Sequence, residues 1–217
     1  MGVIFMSSLK SILKEIKQTL KEKEKLRENA QKDMRKATSL SKQAILLIHQ
    51  KRLNEAEKLV KRAKEIISRL NDASTSYPDI IYSGLFSAAL QEYSEANIVL
   101  MLIEESRFVT PKEINVPSID YVLGLADVIG EYRRMALDDL RDGNVKKSEK
   151  CLEKMDEIYI ELMAMDETYM LVPGLRRKCD NARRIIEATR GDVTQEIRRT
   201  TLEKYLKRFE RLAQKRG

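Results

Sequence analysis

The sequence predicts an all-α protein, a bundle of about seven helices in a single domain covering residues 1–217. Three observations carry this prediction. Only four prolines and eight glycines interrupt 217 residues, so long helices are favoured. Apolar residues recur at the three-four spacing of helices along most of the chain. No segment reads as a strand, because none alternates apolar and polar residues between turn signals.

The first half of the chain predicts three helices. The first runs from Leu9 to His49 without a proline or glycine. The second is strongly amphipathic and could be capped by Asn54. A loop at 71–79 follows, in which Pro78 opens a third helix that runs to about Glu105. Because the third helix is apolar on most sides, we expect it to be central. The apolar stripe of the first helix begins with Leu9, Ile12, Leu13, Ile16 and Leu20.

The second half predicts four more helices after a connection at 107–118. They are a helix capped by Ser118 and ended by Gly143, a helix over 144–168, a helix opened by Pro173 and stopped by Gly191, and a basic helix from Asp192 or Thr194 to Lys215.

Charge is distributed unevenly along the chain, whose net charge is +7. Residues 1–70 hold 18 Lys/Arg against 8 Asp/Glu, and residues 133–217 hold 21 against 16. Residues 71–132 hold 2 against 10. The basic outer segments favour a polyanionic partner such as nucleic acid. Solvated helix faces alone do not account for an acidic middle in a basic chain.

Residue usage narrows the possible chemistry and location. Cys151 and Cys179 lack metal-ligand spacing and are expected to be structural, as in a reducing cytoplasm. His49 is the only histidine, so mechanisms that need two imidazoles are excluded and zinc sites are disfavoured. The opening MGVIFM lacks the pattern of a secretory signal, and Met6 could be the native start. The longest apolar run is too short to cross a bilayer, so we expect a cytoplasmic protein.

Four carboxylates lie in the segments that are poorest in positive charge. Glu92 and Glu95, in LQEYSEA, are three residues apart and share a helix face. Asp127 and Glu131 are four apart and share a face of the next long helix. No lysine or arginine occurs between Leu70 and Ser106. Small residues around the pairs, Gly124 among them, leave room for an ion, water and a substrate backbone.

Clustered carboxylates predict a bound cation, because like charges raise one another's pKa unless a positive charge compensates them. Oxygen ligands favour Mg²⁺ or Mn²⁺ over zinc. Such a metal would support hydrolysis of a phosphate ester, with a carboxylate taking the proton of the attacking water. The alternative is an ordinary solvated face, although both pairs lie on the two most apolar helices, where unpaired charge is costly.

Three stretches of the sequence resemble the translin superfamily. They are LQEYSEA at 90–96, DYVLGLADVIGEYRRM at 120–135 and LRRKCDNARRIIEATRGDV at 175–193, within a match from about Tyr77 to Val193. The chain looks most like the translin-associated factor X branch, as a compact, archaeal-type, stand-alone member. That branch carries a Mg²⁺-dependent endoribonuclease site for single-stranded RNA, built from a Glu-x-x-Glu and an Asp-x-x-x-Glu pair.

The resemblance implies that Glu92, Glu95, Asp127 and Glu131 are the metal-binding and catalytic residues, the same four that spacing singles out. The resemblance also implies a translin-like fold and a hollow homo-oligomer of six or eight subunits, with single-stranded RNA, or alternatively single-stranded DNA, as its partner. The candidate nucleic-acid contacts are Tyr93, as a base-stacking residue, and the basic residues Arg133, Arg134, Arg176, Arg177, Lys178, Arg183 and Arg184.

Two other functions fit parts of the pattern. A non-catalytic, translin-like binding protein would share the fold and the basic surface, although the intact set of four acids argues against it. An all-α nucleotide pyrophosphohydrolase would also use Glu-x-x-Glu pairs with Mg²⁺. Its second motif is usually Glu-x-x-Asp, where this chain has Asp-x-x-x-Glu.

Overall fold

The computed structural model describes residues 8–214, and these form the all-α bundle that the sequence predicts, with no β-strand among them. The suggested start at Met6 and the end of the last helix at Lys215 lie outside the described residues. The helices are α1 (Leu9–His49), α2 (Leu53–Ser76), α3 (Pro78–Ile81), α4 (Gly84–Glu104), α5 (Pro111–Ile114), α6 (Ser118–Arg141), α7 (Val145–Met163) and α8 (Leu175–Gln214), with a 3-10 helix at Asp166–Leu171.

The first two helices form an antiparallel hairpin. Lys51 closes the turn in the left-handed conformation, with φ 62°, and the Arg52 amide donates to the carbonyl of Leu47. One face of α1 is buried from Ala30 to Ile48, where it packs against α2 and α4. The five apolar residues predicted at the start of α1 are helical but exposed, so this part of α1 extends beyond the core.

Helix α4 is central, as its apolar character predicts, and packs between α1 and α6. Helices α1 and α4 run in the same direction, since Met34 lies beside Ser83 and Lys42 beside Glu92. Helices α4 and α6 do so as well, since Ser87 donates to Asp120 and Ser94 lies against Gly124. Helix α8 is parallel to α6 as well, and α7 returns between their ends. None of the helices in residues 8–214 has the length and apolar character needed to span a membrane.

The contact between α4 and α6 depends on Gly124. A Cβ atom at this position would lie 2.6 Å from the carbonyl oxygen of Gln91 and 2.8 Å from Cβ of Ser94. Both distances are shorter than a van der Waals contact, so the glycine lets the two helices approach closely. The expectation that Gly124 leaves room for a ligand is therefore wrong, because α4 itself fills that space.

Replacing Gly124 with alanine is expected to destabilise the protein by about 1–3 kcal/mol, because the helices must separate to admit the methyl group. Gly130→Ala in the same helix is the matched control. Its added Cβ meets nothing within 4 Å, so it should stabilise α6 by about 0.5–1 kcal/mol. Urea unfolding of both variants measures the difference. Equal free energies of unfolding would contradict the close-packing role of Gly124.

Several helix boundaries differ from the prediction around Pro78. Helix α2 continues through most of the predicted loop to Ser76, because Ser74 is buried and its hydroxyl donates to the carbonyl of Asn71. It ends where the residue before a proline must leave the helical region, at Tyr77 with φ −136°. The predicted helix 78–105 is divided into α3 and α4 by the extended backbone of Ser83.

The predicted break at Gly191 is absent, since α8 runs through it to Gln214. A glycine inside a helix costs about 1 kcal/mol relative to alanine. Val193, just beyond it, is buried, which contributes about 1.5–3 kcal/mol. Burial therefore outweighs the local preference and carries the helix onward. Ser118 is the first residue of α6 rather than its cap, which is Pro117.

The remaining connections contain short ordered turns. The predicted connection at 107–118 includes α5, which begins with a capping box between Thr110 and Glu113. The helix predicted over 144–168 ends at Met163 and is followed by the 3-10 helix. Pro173 precedes α8 in a turn with Gly174, whose φ is 93°.

Candidate active site

The four predicted carboxylates gather where α4 and α6 pass closest to each other. Glu95 is the most enclosed, with 8% of its surface exposed. Burial raises the pKa of Glu95 to about 9, and the negative charges of Asp127, Glu131 and Glu92 add to this rise. The four acids, one helical turn apart on each helix, therefore form a single electrostatic cluster.

Each of the other three acids meets a positively charged or hydrogen-bonding partner from a distant part of the chain. Nζ of Lys42 lies 3.1 Å from Oε1 of Glu92. On α8, Lys178 pairs with Asp127 and also donates to the carbonyl of Leu123 at 3.2 Å.

The third partner is His49, whose Nε2 lies 2.5 Å from Oε2 of Glu131. These three carboxylates lack partners within their own helices but have partners on other helices. The partners come from α1 and α8, more than 40 residues away in sequence.

A pocket of about 300 Å³ opens beside three of the acids. Lys42 and Arg134 bring positive charge to its wall, and Ile45 and Leu46 add apolar side chains on the same face of α1 as Lys42. A pocket lined by both carboxylates and cations can hold a metal ion and an anionic group together. Its lining residues are Lys42, Ile45, Leu46, Glu92, Glu95, Glu131 and Arg134.

The donor set suits Mg²⁺ or Mn²⁺, because it consists of carboxylate oxygens in a region of excess negative charge. As the side chains stand, however, no three acidic, histidine or cysteine residues within 8–214 are gathered closely enough to hold an ion. Glu92 and Asp127 turn towards Lys42 and Lys178 instead. Binding of a metal would require these two acids to exchange a lysine for the ion.

The basic residues predicted to bind nucleic acid occupy different environments. Arg134 and Lys178 lie at the carboxylate cluster. Arg133 points the other way, since its guanidinium donates to Thr189 Oγ1 at 2.7 Å and to the carbonyl of Ile185 at 3.3 Å. It ties α6 to α8, so the predicted RNA contact is wrong for this conformation. The four other predicted contacts are exposed on α8, namely Arg176, Arg177, Arg183 and Arg184.

Tyr93 is not available for stacking on a base. Its side chain points away from the acids into the core, with 1% of the residue exposed. The residue between two glutamates on a helix faces roughly away from both, and on α4 that direction is towards buried neighbours. The predicted stacking role is therefore corrected to a core role.

Two site residues, Lys42 and His49, were not predicted. They are seven residues apart on α1, which places them two turns apart on one face. His49 ends α1, as the predicted helix from Leu9 to His49 requires, but its side chain also reaches Glu131. The seven-residue spacing was the only local signal, and nothing in it indicated which helix this face would meet.

The two cysteines have environments that suit a structural role. Cys179 is buried, and Cys151 is half-buried beside Asp139. Burial, reinforced by the charge of Asp139, raises the pKa of Cys151 to about 11, so the unreactive thiol dominates at neutral pH.

Comparison with known proteins identifies a matching family and a related sequence. The model of the Translin family matches residues 8–188. An uncharacterized protein of Methanocaldococcus jannaschii is 36% identical over 147 residues, which are 67% of this chain and 64% of that protein. This chain thus aligns with less than two thirds of that relative's length.

Solved structures agree with the family match. The crystal structure of AfC3PO has a TM-score of 0.76 at 36% identity, over 85% of this chain and 96% of that chain. AfC3PO in complex with duplex RNA has a TM-score of 0.75 at 35% identity, over 85% and 95%. Apo-NeC3PO, at 24% identity, shares the fold with a TM-score of 0.74 over 88% and 98%. The chain, as its resemblance predicted, belongs to the Translin family.

Proposed function

We propose that this protein is a Mg²⁺-dependent endoribonuclease that cleaves single-stranded RNA by attack of water on the phosphodiester. The observation that carries the proposal is the gathering of Glu92, Glu95, Asp127 and Glu131 in one cluster beside a pocket, where burial and the three neighbouring charges raise the pKa of Glu95 to about 9. Four neighbouring carboxylates do not stabilise a structural core, because their mutual repulsion opposes folding. A cation-binding role accounts for them.

Different residues of the chain would bind the metal, contact the phosphate and accept the proton in such a reaction. When bound, Mg²⁺ offsets the carboxylate charge, polarises a phosphoryl oxygen and lowers the pKa of water. Lys42 and Arg134 lie beside the acids, where they can contact the phosphate. A carboxylate of the cluster accepts the proton of the attacking water, and the bond from phosphorus to the 3′ oxygen breaks. The products carry a 5′-phosphate and a 3′-hydroxyl.

The substrate proposal rests on the relatives and on the charge of the chain. AfC3PO has been solved with duplex RNA, and this chain is 35% identical to it. The exposed arginines of α8 add a basic surface next to the site, because α8 also supplies Lys178 to it. We propose single-stranded RNA as the cleaved form, with single-stranded DNA as a possible ligand.

We further propose a homo-oligomer of six or eight subunits. Exposed apolar side chains support association, since Met170 is 91% exposed and Leu171 is 70% exposed. Exposed leucines at the start of α1 and the end of α8 add to this apolar surface. Light scattering of the purified chain gives the mass directly, and a monomer would rule out the assembly.

The direct test is cleavage of an end-labelled RNA with Mg²⁺ and with EDTA, using single-stranded and duplex forms of one sequence. We expect cutting of the single strand only with Mg²⁺, and 5′-phosphate products without a cyclic phosphate. Equal cleavage in EDTA, or cyclic phosphate ends, would overturn the metal-dependent mechanism.

A non-catalytic binding protein is the second candidate. The observation that favours it is the pairing of Glu92 and Asp127 with lysines, which leaves the acids short of a preformed metal site. RNA binding in EDTA with no turnover under Mg²⁺ or Mn²⁺ would support this function. Release of pyrophosphate from nucleotides would instead support the pyrophosphohydrolase alternative.

A further inference from the structure

The sole histidine of the chain is in contact with the proposed catalytic cluster. His49 Nε2 lies 2.5 Å from Oε2 of Glu131, and 4% of the histidine side chain is exposed. A carboxylate oxygen is an acceptor, so the geometry assigns the proton to Nε2, which donates to Glu131. The hydrogen bond occupies one of the two oxygens of Glu131 and leaves Oε1 as its free oxygen.

The histidine is held in place by the end of α1. His49 is the last residue of this helix, and the next turn is closed by backbone hydrogen bonds from Gln50 to Leu46 and from Lys51 to Ile48. Its neighbour Ile48 is 3% exposed and anchors the helix end in the core. The imidazole therefore has little freedom to leave Glu131, because its backbone is held by the helix end and its side chain is almost fully enclosed.

The side chains of the two lysine partners are more exposed than that of His49. The Lys42 side chain is 62% exposed and that of Lys178 is 22% exposed, whereas His49 is enclosed. A long exposed lysine can turn from a carboxylate to solvent or to a phosphate at little cost. The contact of Glu92 is thus exchangeable, whereas the contact of Glu131 is fixed. The half-buried Lys178 is intermediate, because it donates to the carbonyl of Leu123 as well as to Asp127.

We propose that His49 is the positioning residue of the site. Through its Nε2–H, it fixes the Glu131 carboxylate in the orientation that presents Oε1 to the divalent cation. This inference rests on the proposed metal-dependent function. Hydrogen bonds from neighbouring side chains to metal-binding residues typically contribute about 10–100-fold in metal affinity.

The test measures Mn²⁺ binding by isothermal titration calorimetry, without any substrate. His49→Leu removes the donor and keeps an apolar side chain in the enclosed space. His49→Gln retains an amide donor at about the position of Nε2. We expect Mn²⁺ to bind His49→Leu about 10–100-fold more weakly, and His49→Gln to recover most of that loss. The midpoint of urea unfolding in EDTA separates loss of stability from loss of positioning.

A double-mutant cycle makes the assignment specific to Glu131. In the Glu131→Gln background, His49→Leu should weaken Mn²⁺ binding no further, because the group that it positions is gone. If His49→Leu does not fold, His49→Asn replaces it, since its shorter amide falls short of Glu131.

The possible outcomes distinguish a failure of this inference from a failure of the proposed metal-dependent function. Wild type that binds no Mn²⁺ would overturn both. Wild-type affinity in His49→Leu, failure of His49→Gln to recover binding, or additive losses in the cycle would overturn the positioning role alone.

Discussion

Asp127→Asn and Glu131→Gln are each expected to abolish RNA cleavage, with a loss of about 10²–10⁴-fold or more in turnover. Each substitution keeps the shape of the side chain and removes one negative charge from the cluster. The proposed cation loses a ligand, and the attacking water loses an acceptor for its proton. RNA binding and assembly should persist, because the exposed arginines of α8 are unchanged.

The matched control is Asp138→Asn. Asp138 lies on α6 seven residues after Glu131, and pairs with Arg141 at 3.1 Å outside the cluster. Single-turnover cleavage under Mg²⁺ gives the rate, and fluorescence anisotropy of labelled RNA in EDTA gives binding. Cleavage by Glu131→Gln at the rate of the control would exclude the proposed role of the cluster. Loss of RNA binding together with cleavage would point to a folding defect.

The helices were predictable because their signals are local. Apolar residues at three-four spacing and the scarcity of breakers identified α1, α2, α4, α6, α7 and the start of α8. The boundaries were less accurate, because tertiary contacts decided them. Burial of Val193 carries α8 through Gly191, and burial of Ser74 extends α2 into a polar stretch that reads as a loop.

The candidate site was predictable only in part, for a related reason. Spacing places Glu92 with Glu95 and Asp127 with Glu131, since each pair shares one helix face. That the two pairs meet depends on the close approach at Gly124, which spacing within one helix does not specify. Lys42, His49 and Lys178 reach the acids from other helices, so no local pattern could assign them.

The parallel arrangement of α1, α4, α6 and α8 gives the cluster its particular balance of charge. Three acids have partners, and Glu95 lies enclosed among them with a pKa raised chiefly by burial. Glu95 is thus held as the neutral acid in the metal-free protein, and a divalent cation would favour its ionised form.

Glu95→Gln is expected to stabilise the metal-free protein by about 2–4 kcal/mol at pH 8. The pKa of Glu95 is about 9 in the folded state, against an ordinary value of 4.5. Between these two values the folded protein retains a proton that the unfolded chain releases. The contribution of Glu95 to stability is therefore fully present below about pH 4.5 and declines as the pH rises towards 9. Glutamine has no proton to lose and abolishes this decline.

The measurement is the free energy of unfolding in urea with EDTA from pH 5 to pH 9, for wild type, Glu95→Gln and Glu161→Gln. Glu161 is an exposed residue of α7 and serves as the control. The difference between Glu95→Gln and wild type should grow with pH, whereas that for Glu161→Gln should stay flat. Saturating Mn²⁺ should reverse the order, since a cation stabilises the ionised Glu95 of wild type and gains less from the amide. A difference independent of pH would mean that Glu95 is ionised throughout, and that the cluster is already compensated without a metal.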